Sequence, residues 1–172
     1  MQTRLILAIL LTLGMAQSVW AYHCPTAVGP TTPYRCLQTV FNDQGAAIVS
    51  ADVVAWDDDD TDFSTTEYPY VILSTTADDP YIAGVVAEGL TCPDQSLCDI
   101  VVYGPAYTKI ADGTDNTAVD TLVSTSSVSG RAGDYGPAAN TCALGMLVDD
   151  NAGEPAGSDS HAGTVFVNVS CQ

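Results

Sequence analysis

The side chains that could do chemistry in this sequence are six cysteines, one dense run of aspartates and two histidines. Cys24, Cys36, Cys92, Cys98, Cys142 and Cys171 are even in number, and an even set of thiols behind an export signal reads as disulfides. Many pairings are possible, and proximity along the chain suggests three: Cys92 with Cys98, closing a loop turned by Pro93, Cys24 with Cys36, and Cys142 with Cys171. Each would contribute about 2–4 kcal/mol by restricting the unfolded chain, less for the shortest loop. A structural zinc site would want compact cysteine pairs or histidine partners, and these spacings do not provide them.

The run Asp57, Asp58, Asp59, Asp60 and Asp62, broken by Thr61, follows a short apolar stretch ending at Trp56. Hard cations such as Ca2+ take about six to eight oxygen ligands, and five carboxylates in one loop could supply several. The run does not fit an EF-hand. Counting from Asp57 puts Asp62 where the glycine belongs and Tyr68 where the bidentate Glu belongs. Two readings therefore stand, an exposed acidic turn and a weak Ca2+ site completed by Asp78 and Asp79. Ca2+ is the one cofactor the sequence suggests.

Catalytic constellations are poorly served. His23 lies beside Cys24 and His161 in a Gly/Ser/Asp-rich stretch, so neither has the packed context of a base held against a nucleophile. Ser124, Ser126, Ser127 and Ser129 form a Ser/Thr-rich strand end, not a nucleophile elbow. Carboxylate pairs for glycoside cleavage are numerous in principle, but only Glu67, Glu88 and Glu154 are glutamates. No glycine-rich loop ends in Lys-Ser or Lys-Thr, as phosphate binding would require. The expectation is a protein that is not an enzyme.

The elements that must carry these residues begin after an export signal. Arg4 supplies a positive start, Leu5 to Met15 are apolar and uncharged, and Val19-Trp20-Ala21 offers small residues for cleavage after Ala21. The apolar run is too short to span a bilayer, which takes about 20 residues, although a retained anchor is the competing reading. The expected division is a leader over 1–21, an extended arm over 22–45 and a β-rich domain over 46–172. The chain has 4 basic and 21 acidic residues and a formal charge of −17. With basic residues so sparse, nucleic acid and anionic membrane surfaces are excluded as partners. The same acidity makes any assembly sensitive to salt or divalent cations.

Beyond the leader, helical periodicity is hard to find and strand signals recur. Strands are expected within Ala46 to Trp56, Tyr68 to Leu73, Tyr81 to Ala87, Thr121 to Thr125, Ala143 to Val148 and Thr164 to Ser170. A longer one, Ile100 to Ile110, should bend at Gly104-Pro105. In the last strand Val165, Val167 and Val169 alternate with Phe166 and Asn168. Turn clusters such as Asn42-Asp43-Gln44-Gly45, Asp78-Asp79-Pro80 and Ser129-Gly130 separate them, with no room for crossover helices. The fold expected is all-β, an antiparallel sandwich or barrel-like domain with a disulfide-stapled N-terminal arm carrying Pro25, Pro30 and Pro33. That arm would lie along a neighbour or form a simple ordered N-terminal segment. The many tyrosines, among them Tyr68, Tyr70, Tyr81, Tyr103, Tyr107 and Tyr135, should be core or sheet-face residues with a possible contact role.

From Tyr81 onward the order of segments is suggestive. Ile82-Ala83-Gly84-Val85-Val86, Asp99 to Gly104, Ala118 to Ser126 with Gly130-Arg131-Ala132, Ala143 to Leu147 and Gly163 to Val167 follow one another. This resembles the small β-domains of phage virion decoration proteins and of bacterial surface or tail-fibre-associated proteins. Val119 and Met146 depart from the small residues usual there, and the cysteine set is foreign to it. The resemblance implies a structural role, in β-modules that decorate or build larger assemblies.

The leading expectation is thus a secreted, non-catalytic structural protein, subunit or decoration of an extracellular filament, tube, sheath or surface layer, its partners further copies or other surface proteins. Contact would be made by the arm, beginning Tyr22-His23, or by Thr164, Val165, Phe166 and Val167 of the last strand adding to a neighbour's sheet edge. The alternative is a secreted module binding a glycan or Ca2+ through Trp56 to Asp62.

Overall fold

A computed structural model describes residues 34–57, 68–111, 119–136, 141–150 and 160–171, and for residues 150, 160 and 161 only the backbone. The fold is all-β. Eleven strands form along the chain: β1 (Cys36–Asn42), β2 (Ile48–Val49), β3 (Val53–Trp56), β4 (Tyr70–Leu73), β5 (Ile82–Val86), β6 (Thr91–Cys92), β7 (Leu97–Ala111), β8 (Leu122–Thr125), β9 (Ala132–Asp134), β10 (Cys142–Asp150) and β11 (Ser160–Cys171).

The nine-stranded main sheet runs β1-β4-β3-β5-β7-β11-β10-β8-β9, and β7 pairs a second time with both end strands, β1 and β9. These extra pairings close the sheet into two rings that share β7. Its first half, before Gly104, lies between β5 and β1, with Val101 opposite both Val85 and Leu37. Its second half pairs with β11 from Gly104 to Ala111 and with β9 at Ile110. Among the described residues, closure leaves the main sheet without an open edge at which strands of other chains could add, and β2 with β6 forms a separate two-stranded sheet.

Gly104 makes the passage from one ring to the other possible. Its φ is +99°, and a Cβ there would overlap the carbonyl oxygen of Tyr34, so only glycine fits. The bend also changes the phase of the alternation. Val101 before it and Ala106 and Ile110 after it enter one core although they differ in parity along the strand.

Two cores result. Inside the first ring Val40, Ile48, Val54, Val71, Ala83, Val86, Cys92 and Ile100 pack together, flanked by Trp56 and Val102. The second core brings Val53, Ile82 and Val85 from the first ring against Val123, Leu144, Leu147, Val165 and Val167 of the second. Strand β5 is therefore buried on both faces, which explains its unbroken apolar sequence. The alternation expected in β11 is present: Val165 and Val167 are fully buried, and Asn168 is exposed.

Two expectations are corrected. The stretch Ala46 to Trp56 is not one strand, because a turn at Ser50-Ala51 separates β2 from β3 and Ala51 takes a left-handed φ of 71°. The turn is tied down by Ala51 N–H donating to Val86 O and by Asp52, which accepts from Val49 N–H at 2.9 Å and from Lys109 Nζ at 2.5 Å. Of the arm expected over 22–45, residues 34–45 are described, and they lie on the body. Within it Cys36–Asn42 are β1, paired with β7 on one side and β4 on the other. The sheet is also not purely antiparallel, since β1 with β4 and β7 with β9 are short parallel contacts.

Candidate binding cavity and outer face

Along β1 the residues at even positions point into the first ring, and two of them are amides with opposite fates. Asn42, fully buried, is saturated: Nδ2 donates to the carbonyls of Ala46, Cys92 and Pro93 at 2.8, 2.9 and 3.1 Å, and Oδ1 accepts from Gln44 N–H at 2.9 Å. With the Cys92–Cys98 disulfide beside it, Asn42 plugs its end of the ring. Gln38, only 9% exposed and opposite Ile100, has a buried Oε1 without any hydrogen-bond partner.

Gln38 lines a cavity of about 400 Å³ at the other end of β1. Trp56 from β3, Ala83 and Ile82 from β5 and Val102 from β7 supply its apolar wall. Tyr103, Asn168 and Val169 form its rim, with Cys36 beside Gln38. No charged side chain is among these lining residues, although the chain carries 21 carboxylates. A carboxamide, an indole and a phenol thus border a volume within the range of small-molecule pockets.

The rim continues into an uncharged stripe on the outside of the second ring. Strand register sets Leu122 opposite Met146 and Met146 opposite Phe166. The Phe166 ring then meets Tyr103 edge to face at 5.2 Å, and Tyr103 meets Tyr34 at 6.3 Å. Leu122, Met146, Tyr103 and Tyr34 are all exposed, as are Tyr107 and Val148 nearby. An apolar surface that crosses four strands is more than the scattered exposed hydrophobics of an ordinary surface.

The expected site residues fall out as follows. Cys92 is joined to Cys98 and Cys142 to Cys171. Cys36 is disulfide-bonded, and its expected partner Cys24 lies outside the described residues, as do Tyr22 and His23. Of the acidic run only Asp57 is described, while Asp58, Asp59, Asp60 and Asp62 lie outside. Of Asp78 and Asp79, expected to complete a cation site, Asp79 Oδ1 accepts from Tyr81 N–H within its own turn, and Asp78 Oδ1 accepts from Gly136 N–H of a distant segment. Among the described residues no group of three or more His, Cys, Asp or Glu is arranged to hold a metal ion.

The last strand does not offer an edge to a neighbour, because β11 is already paired with β7 on one side and β10 on the other. Val165 and Val167 are core residues, which leaves Thr164 and Phe166 as the part of that segment facing outward. Gln38 escaped the sequence reading because it sits in what looked like an arm; its signal is a polar residue at an inward position of a strand. The stripe escaped because its members are scattered over distant segments.

Comparison with known proteins finds no matching family model and no matching curated protein. Among the described residues no helix is long and apolar enough to cross a membrane. The two disulfides fit an oxidising environment.

Proposed function

We propose that this is a secreted, non-catalytic structural protein that joins copies of itself, as subunit or decoration of an extracellular filament, sheath or surface layer. The observation that carries the reading is the stripe Leu122, Met146, Phe166, Tyr103 and Tyr34, an exposed uncharged face on a molecule of charge −17. Every strand of the main sheet has a neighbour on each side, so association goes through this face and not through an open edge. The export signal, the disulfides and the resemblance to decoration domains support the same role. None of the residues of the stripe is charged, which suits a second copy of the same acidic chain better than a basic partner.

Electron microscopy of the secreted protein over a range of NaCl and Ca2+ concentrations tests this. Ordered or higher-order particles are expected, lost in the double variant Leu122→Lys/Met146→Lys, whose exposed positions leave folding intact. Monodisperse monomers under every condition would sink the reading.

A further inference from the structure

We infer that the cavity of about 400 Å³ beside Gln38 is a binding site for a neutral saccharide unit. Three independent features of its lining select that class. The first is the Gln38 carboxamide, whose oxygen is buried with no donor to satisfy it. Buried polar groups are nearly always paired, and an unpaired oxygen on a side chain that lines a cavity gains a partner when the amide turns toward a ligand hydroxyl or amide N–H. Burial of this kind costs stability, and the neighbouring Asn42 shows that the same strand can satisfy an inward amide fully when its role is structural.

The second feature is the aromatic pair. Trp56 and Tyr103 both line the cavity, and the apolar C–H face of a pyranose packs against aromatic rings while its hydroxyl edge stays free. Asn168, exposed on the rim, offers a second carboxamide to that edge. The third is the absence of charge among the lining residues. In a chain with 21 carboxylates, the described lining residues include none, which disfavours cations, and no basic side chain to partner an anion. A hydroxyl-rich, uncharged ring meets all three conditions. The site is separate from the assembly role: only Tyr103 belongs to both, and ligand binding does not require association.

The experiment is calorimetric titration of the secreted protein with N-acetylglucosamine, glucose and cellobiose, with glucuronate as the charged counterpart, while Trp56 fluorescence is followed. Saturable binding of at least one neutral sugar is expected, accompanied by a change in fluorescence, with glucuronate at least about tenfold weaker. Gln38→Met should weaken binding about tenfold or more and at the same time raise the melting temperature, because an amide with an unpaired buried oxygen is replaced by an apolar chain of similar shape. Asn168→Ala, at an exposed position, should weaken binding with the melting temperature unchanged. The inference is overturned if no neutral sugar binds, if glucuronate binds as well as glucose, or if binding is the same in Gln38→Met and Asn168→Ala as in the parent. Failure here leaves the particle assay untouched, so the two proposals fall separately.

Discussion

Two amides on one strand show how much a single side chain's surroundings decide. Asn42 and Gln38 both point into the first ring, yet one holds four backbone groups and the other leaves its oxygen bare. Removing Asn42 strands the buried carbonyl of Cys92 and leaves the part-buried carbonyls of Ala46 and Pro93 and the N–H of Gln44 to find water. Asn42→Ala should therefore destabilise the fold by about 1–3 kcal/mol, because the buried Cys92 carbonyl is left without a donor. Urea unfolding of the oxidised protein measures this, and a loss under about 0.5 kcal/mol would mean that water replaces the amide. The ion pair of Lys109 with Asp52 works in the same way at the β2–β3 turn. There a basic residue of an acid-rich chain is committed to a half-buried internal contact and not to a partner.

At the scale of elements, the strands that the sequence reveals are those whose burial is simple. Strands β4, β5, β8, β10 and β11 stand out because valine, isoleucine and leucine alternate or run together in them, and β7 because its bend is written as Gly104-Pro105. Strand β1 does not stand out. Its inward residues are Cys36, Gln38, Val40 and Asn42, half of them amides, so the alternation that marks a half-buried strand is erased by the same residues that plug the ring and line the cavity. The split between β2 and β3 was equally hidden, because an alanine, not a glycine, carries the left-handed turn. Long-range closure through β7 leaves no local trace at all. The disulfides act on this scale. Cys142 and Cys171 are opposite one another at the ends of β10 and β11, closing a loop of sequence separation 29, while Cys92 and Cys98 close one of 6. Loop-closure entropy assigns about 3.6 kcal/mol to the longer bridge and about 2.2 kcal/mol to the shorter. Paired Cys→Ala replacements, compared by their urea midpoints, should fall in that order; a larger loss from the Cys92–Cys98 pair would show that packing around Asn42, and not chain entropy, sets its value.

For the whole molecule, two forces act on association in opposite directions. The net charge of −17 makes any two copies repel, whereas the stripe from Leu122 to Tyr34 gains by leaving water. Their ranges differ. Charge repulsion reaches about 30 Å at 0.01 M salt but only about 3 Å at 1 M, while burial of the stripe acts at contact and is not screened. Salt should therefore shift the balance in one direction only, with copies separate at low ionic strength and associated at high. Sedimentation velocity at about 10 mM and about 1 M NaCl should show a rise in mean particle mass, with no rise in Leu122→Lys/Met146→Lys, because that variant retains most of the negative charge and loses the apolar contact. Calcium separates a general from a specific effect. At matched ionic strength, Ca2+ that promotes association no more than Mg2+ does would assign the response to screening alone. A response to Ca2+ at micromolar concentration, far below what screening needs, would instead require carboxylates acting as ligands between or within copies. Association that is equally strong at both salt concentrations would remove the repulsive half of this balance, and the stripe would then have to be reconsidered as a face already covered in the single molecule.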